Sequence, residues 1–189
     1  MNITTFKSRV PRTANDLGSK LHNSIHATLG MGSEIMGELT IAFHKRDAIN
    51  IAEELADSQW FACWYALVHG IYVPDSFSVD FPETITRKNR KVYYDNLRIS
   101  LGQLQDWDKA ELAYGKIKCT HEERMSALYL LFSCIEFIAL DRKIDMCQAR
   151  QRVMDKLATR FPEKFSNDLA NNRDLDAERQ ALEGGVDHE

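Results

Sequence analysis

Apolar residues recur along this chain at steps of three and four. Between Ala48 and His69 they fall at Ile49, Ala52, Ala56, Trp60, Cys63, Trp64 and Leu67, one stripe of an amphipathic helix. Asp47 stands where that helix needs an N-cap, and Gly70 where it needs to stop. Thr120-His121-Glu122-Glu123 is a capping box. It opens a strongly apolar helix from Met125 to about Leu140. After a turn at Asp141–Lys143, Ile144 to Arg160 forms another amphipathic helix, halted by Pro162. Thr86 caps a helix reaching about Gly115, with Gly102 as a point of interruption. Upstream, Asn15 or Asp16 caps a helix to about Leu29, and Gly30-Met31-Gly32 breaks or bends it. Ser33 then caps a helix to about Lys45. The long segments repeat with helical rather than strand periodicity, so the fold expected is all-α.

The pattern also suggests an organisation. Residues 1–13 read as a flexible N-terminus, 14–165 as a single helical domain, and 166–189 as a polar extension. The extension holds a short helix over Asp174–Leu182 and a fraying end, GGVDHE. Residues 71–85, with two prolines, form the one long loop within the domain, a lid or a surface connection. The basic run Arg87 to Lys91 follows it, either a solvated face or a phosphate-attracting mouth. A shift of 71 residues lays Ala42-Phe43-His44-Lys45 on Ala113-Tyr114-Gly115-Lys116, and Ala56, Phe61 and Cys63 on Ala127, Phe132 and Cys134. The same shift lays Glu34 on Gln105, Glu54 on Met125 and Asp57 on Leu128. An internal duplication would thus have kept the packing and lost the acids; chance likeness between amphipathic helix pairs is the other reading.

Composition narrows the functional classes. A net charge of −4 and a pI near 5.9 give no reason to expect nucleic acid as a partner. No apolar run approaches a membrane span, and the first residues lack a signal-peptide core, so no membrane and a cytoplasmic location are expected. Four cysteines without a CxxC pair read as structural.

Acids are concentrated in one stretch. Glu34 and Glu38 lie four apart, Glu54 and Asp57 three apart, Glu53 and Asp57 four apart, so each pair shares a helix face. Like charges at such spacings disfavour a helix unless something cationic lies between them. The second cluster adjoins Trp60-Phe61-Ala62-Cys63-Trp64-Tyr65, which must be at least partly buried. Carboxylates beside a buried face need a partner. Hard oxygen donors without His or Cys suit Mg²⁺, or Mn²⁺, over zinc. A clustered acidic surface is the bland alternative.

At these residues the sequence resembles the all-α nucleotide pyrophosphohydrolases: the MazG-like enzymes, the dimeric dUTPases and the dCTP pyrophosphatases. Their pattern is EExxE, a spacer, then EExxD on the following helix. Glu53-Glu54-Leu55-Ala56-Asp57 completes the second half, with Trp60 at an aromatic position. His26-Ala27-Thr28-Leu29-Gly30 is similar to an HxxLG lead-in, and Lys156-Leu157-Ala158-Thr159-Arg160-Phe161-Pro162-Glu163-Lys164-Phe165 to a KLxxRYPxxF ending. Asn172 to Arg179 resembles an extension seen in bacterial and phage members. The first half departs: Glu34-Ile35-Met36-Gly37-Glu38 has Ile35 where a second Glu is expected. Either Glu34 takes over, or the helix register shifts by one residue, or the metal site is weakened.

The resemblance implies a four-helix-bundle core with extra helices. It implies Mg²⁺-dependent hydrolysis of a (deoxy)nucleoside triphosphate to the monophosphate and pyrophosphate, by a homodimer or homotetramer. The metal would be held by Glu34, Glu38, Glu54 and Asp57, with Glu34 or Glu53 orienting the water. Lys156 and Arg160 match phosphate-contacting positions. Trp60 and His26, or Asn23, would meet the base, and His22 shares the His26 face. Ile35 raises an alternative, a bundle that binds nucleotides or a protein partner without hydrolysis. A ferritin-like oxidase would need Glu-x-x-His pairs and an HD phosphohydrolase a His-Asp dipeptide; the chain has neither.

Overall fold

Side-chain caps set most helix starts in the computed structural model, which describes residues 1–77 and 81–184. The described residues are all-helical, without strands. The helices are α1 (Ile3–Thr13), α2 (Lys20–Gly32), a π-helical turn (Ser33–Glu38), α3 (Leu39–Lys45), α4 (Ala48–His69), α5 (Arg87–Tyr114), α6 (His121–Arg142), α7 (Met146–Arg160), α8 (Asn167–Asn171) and α9 (Leu175–Glu183). Asp47 caps α4 by accepting from the Ile49 and Asn50 amides, and Gly70 closes it at φ 66°. Thr86 and Thr120 each build a capping box.

Three sequence expectations change in the first third of the chain. Residues 1–13 are not a flexible leader. Asn2 caps α1, and Ile3, Phe6, Val10 and Thr13 bury one stripe against α4 and α7. The stripe obeys the helical period, but it lies in a short, otherwise polar segment with a proline in its last turn. Second, Ser19, not Asn15 or Asp16, caps α2. Asp16 instead accepts from Gly18 N and from the Asn23 amide, while the Asn23 carbonyl accepts from Leu17 N, so Asn23 staples this turn. Third, Gly30-Met31-Gly32 does not break the helix, and Ser33 is a helical residue with no capping bond. Both glycines mark close approaches. A Cβ on Gly30 would fall inside the Phe61 ring, and one on Gly32 would lie 2.7 Å from Gln105 Nε2.

Helical backbone continues from α2 through the π turn into α3, and burial explains the wider turn. Met31, Ile35 and Leu39 are buried at successive four-residue steps. Such steps overshoot a 3.6-residue turn and would drift round an α-helix. A turn of i→i+5 bonds absorbs the overshoot and keeps all three on one side.

Helices α2, α4, α5 and α6 form a four-membered core: α2 packs on α4 and α5, and α6 on α5 and α4. Helix α7 covers α4, and α9 packs on α7 and α4. Helix α5 runs uninterrupted through Gly102, so the π turn has no counterpart there. The described part of the 71–85 loop packs down on the core. Ile71, Val73 and Phe77 are buried, Phe77 stacks on Phe132, and the Tyr129 hydroxyl donates to Tyr72 O. The basic run is a solvated face, with Arg90 paired to Asp141 and Lys91 to Asp95. The fraying expected of the last residues concerns 185–189, outside the described residues. Among the described residues, no helix is long and apolar enough to cross a membrane.

Candidate functional site

A cavity of about 320 Å³ opens where α1, α2, the π turn, α4, α7 and the segment after α7 meet. Its volume falls in the range of small-molecule sites. Nine residues nominated from sequence line it, His26, Glu34, Glu38, Glu53, Glu54, Asp57, Trp60, Lys156 and Arg160, whereas Asn23 does not. No described residue of the 71–85 loop does.

The cavity has two chemically different walls. On one, the π turn presents Glu34 and Glu38, and α4 presents Glu54. One carboxylate oxygen from each lies within 4.8 Å of the others. Ile35 turns away into the core, 4% exposed. Glu34 and Glu38 thus reach Glu54 from a widened turn, with Ile35 serving as packing.

The two clusters are neutralised differently. Lys156, on α7, is 4% exposed and holds Glu53 and Asp57, with Nζ 2.9 Å from Glu53 Oε1 and 2.5 Å from Asp57 Oδ2. Burial would lower its pKa, but the Asp57 and Glu53 charges outweigh that and raise it. The Lys156 ammonium is engaged by carboxylates, not held free for a phosphate. Asp57 is the ammonium's partner and lies outside the trio of converging acids. Glu34 and Glu54, by contrast, face each other. Burial pushes the Glu34 carboxyl up, and the Asp57 charge pushes it further. Burial also pushes Glu54 up, followed by its hydrogen bond with Glu34. Such a pair retains a proton that ordinary glutamates lose. Burial likewise raises Glu53, against the opposing charge of Lys156.

The other wall is aromatic. Phe61 makes edge contacts with both His26 and Trp60, at 5.9 and 4.9 Å between ring centres. It rests against Gly30, where a side chain would displace it. Trp60 is anchored by Nε1 donating to Thr13 Oγ1 at 3.2 Å. His26 Nδ1 is buried with no hydrogen-bond partner, and burial lowers its pKa, so the neutral ring is favoured. Phe161 and Phe165, from the KLxxRYPxxF-like segment, continue this wall. His22 is exposed and is not among the lining residues.

Sequence reasoning missed Thr13, Asn15, Phe61 and Arg173 as lining residues. Phe61 adjoins Trp60 in the aromatic run, and Arg173 belongs to the NRDLDAER segment, so a signal existed for both. Thr13 had none, because α1 was not expected. Comparison with known proteins adds no name: no family model, no curated protein and no solved structure matches the chain.

Proposed function

We propose that the protein is a Mg²⁺-dependent nucleoside triphosphate pyrophosphohydrolase of the MazG-like kind. The observation that carries this reading is the convergence of Glu34, Glu38 and Glu54 at one wall of a cavity whose other wall is aromatic. Three carboxylates with only oxygen donors fit Mg²⁺, or Mn²⁺. Their environment fits as well. Lys156 serves Glu53 and Asp57, so the Glu34–Glu54 pair is balanced by a shared proton that a divalent cation would replace. When bound, the ion would neutralise phosphate charge and lower the pKa of a coordinated water.

The chain's own residues then divide the work. His26, Phe61 and Trp60 offer a base an aromatic face and one imidazole nitrogen. Glu53, fixed by Lys156, stands beside the acid trio and orients the attacking water, with Glu34 as the other candidate. Water oxygen bonds to the α-phosphorus, the bond from that phosphorus to the bridging oxygen breaks, and pyrophosphate leaves. The water proton passes to the carboxylate. Assembly as a homodimer or homotetramer belongs to the same reading.

The test is pyrophosphate release from a panel of NTPs and dNTPs with Mg²⁺. Release that depends on the metal supports hydrolysis. Tight nucleotide binding with no release at high enzyme concentration selects the alternative, a binding protein without turnover.

A further inference from the structure

The C-terminal extension contributes to the same cavity, through an arrangement that the acid motifs do not explain. Glu178, on α9, is 2% exposed and accepts from two arginines at once. Arg160 Nε and Nη2 lie 2.8 and 2.5 Å from its two oxygens, and Arg173 Nε and Nη2 lie 3.2 and 2.6 Å from the same two. Two planar forks on one carboxylate fix both guanidinium planes. Burial alone would raise Glu178, but these hydrogen bonds hold it at about 2, so it stays ionised.

The order of the three groups decides what they do. Arg160 and Arg173 line the cavity, whereas Glu178 does not. The carboxylate therefore sits behind the guanidiniums and supports them, and does not plug the space a ligand would take. Two guanidiniums and one carboxylate leave a net charge of +1 facing the cavity. Arg173 is also close enough to Glu53 and Asp57 to feel both charges. The cavity thus has an acidic end that draws cations and a guanidinium end that draws anions.

We infer that Arg173 joins Arg160 in a seat for the pyrophosphate portion of the ligand, with Glu178 as the residue that positions both. This rests on the proposed nucleotide reading and extends it to the tail. Arg173 and Glu178 are then functional parts of the extension, and α9 carries the support.

Binding of inorganic tripolyphosphate with Mg²⁺ to the full-length chain, followed by calorimetry, tests this. Mn²⁺ binding in the absence of phosphate is measured alongside. Arg173→Ala should lower tripolyphosphate affinity about tenfold or more, the loss of a charge-assisted contact, and leave Mn²⁺ affinity unchanged. Glu178→Gln should weaken tripolyphosphate binding in the same direction, and Glu178→Asp should restore part of it. Should Glu178→Gln fail to fold, Arg173→Lys serves: it keeps the charge and loses the fork, and should bind more weakly than wild type. Wild-type affinity in folded Arg173→Ala, or no tripolyphosphate binding by the wild-type protein, would overturn the seat. The two readings part cleanly. Tripolyphosphate binding that depends on Arg173, without nucleotide hydrolysis, removes the hydrolase and keeps the seat. Normal hydrolysis by Arg173→Ala does the reverse.

Discussion

The Lys156 ammonium lies 2.5 Å from an Asp57 carboxylate oxygen, and its other acidic partner is Glu53 on the same helix. That contact ties α7 to α4 along the cavity. Removing the ammonium leaves two carboxylates, each with a side chain less than a fifth exposed, facing each other. Lys156→Met should therefore cost about 3 kcal/mol and lower the melting temperature by roughly 10 °C. Adding Glu53→Gln should recover part of the loss. Thermal denaturation of the single and double variants checks this, and an unchanged melting temperature in Lys156→Met would remove Lys156 from the account.

The Glu34–Glu54 pair sets a pH dependence of opposite sign to that of an ordinary ion pair. Both folded-state pKa values are raised, so the folded protein holds protons that the unfolded chain releases. Stability from this pair is then fully present below the usual glutamate value of 4.5 and declines as pH rises above it. The metal-free protein should unfold at lower urea at pH 8 than at pH 6. Saturating Mg²⁺ should flatten or reverse the trend, because a cation stabilises the deprotonated pair. A metal-free stability that rises across this interval would contradict the shared proton.

Gly30 should not tolerate a side chain. A Cβ there enters the Phe61 ring, which is held in turn by Trp60 and His26. Gly30→Ala should cost about 1–3 kcal/mol by overpacking. It should also weaken nucleotide binding, because the aromatic wall must move. Phe61→Leu in the same chain should restore stability without restoring binding. Urea titration and nucleotide titration separate the two effects.

Much of this architecture was legible in the residues, and the exceptions have physical causes. Asp47, Gly70, Thr86 and the Thr120 capping box mark their helix ends by local hydrogen bonding, which a sequence displays directly. Glycine is ambiguous. Gly30 and Gly32 look like helix breakers, yet they serve contacts with Phe61 and Gln105, which lie far along the chain. The π turn had no signal of its own in the sequence, because only the packing of Met31, Ile35 and Leu39 shows why it forms. The acids and aromatics of the site could be named, because carboxylates at helical spacing beside a buried run need an explanation. Their pairing could not. That Lys156 serves Glu53 and Asp57, leaving Glu34, Glu38 and Glu54 to converge, depends on how α7 lies on α4.

The central claim is that the converging carboxylates hold a divalent cation for phosphoryl chemistry. Pyrophosphate release by wild type and by Glu54→Gln, across NTPs and dNTPs with and without Mg²⁺, tests it most directly. The account predicts metal-dependent release from at least one nucleotide. It predicts a fall of about a hundredfold or more in Glu54→Gln, the scale of losing a central electrostatic contact. Absence of release with every nucleotide, or undiminished release by Glu54→Gln, would contradict it.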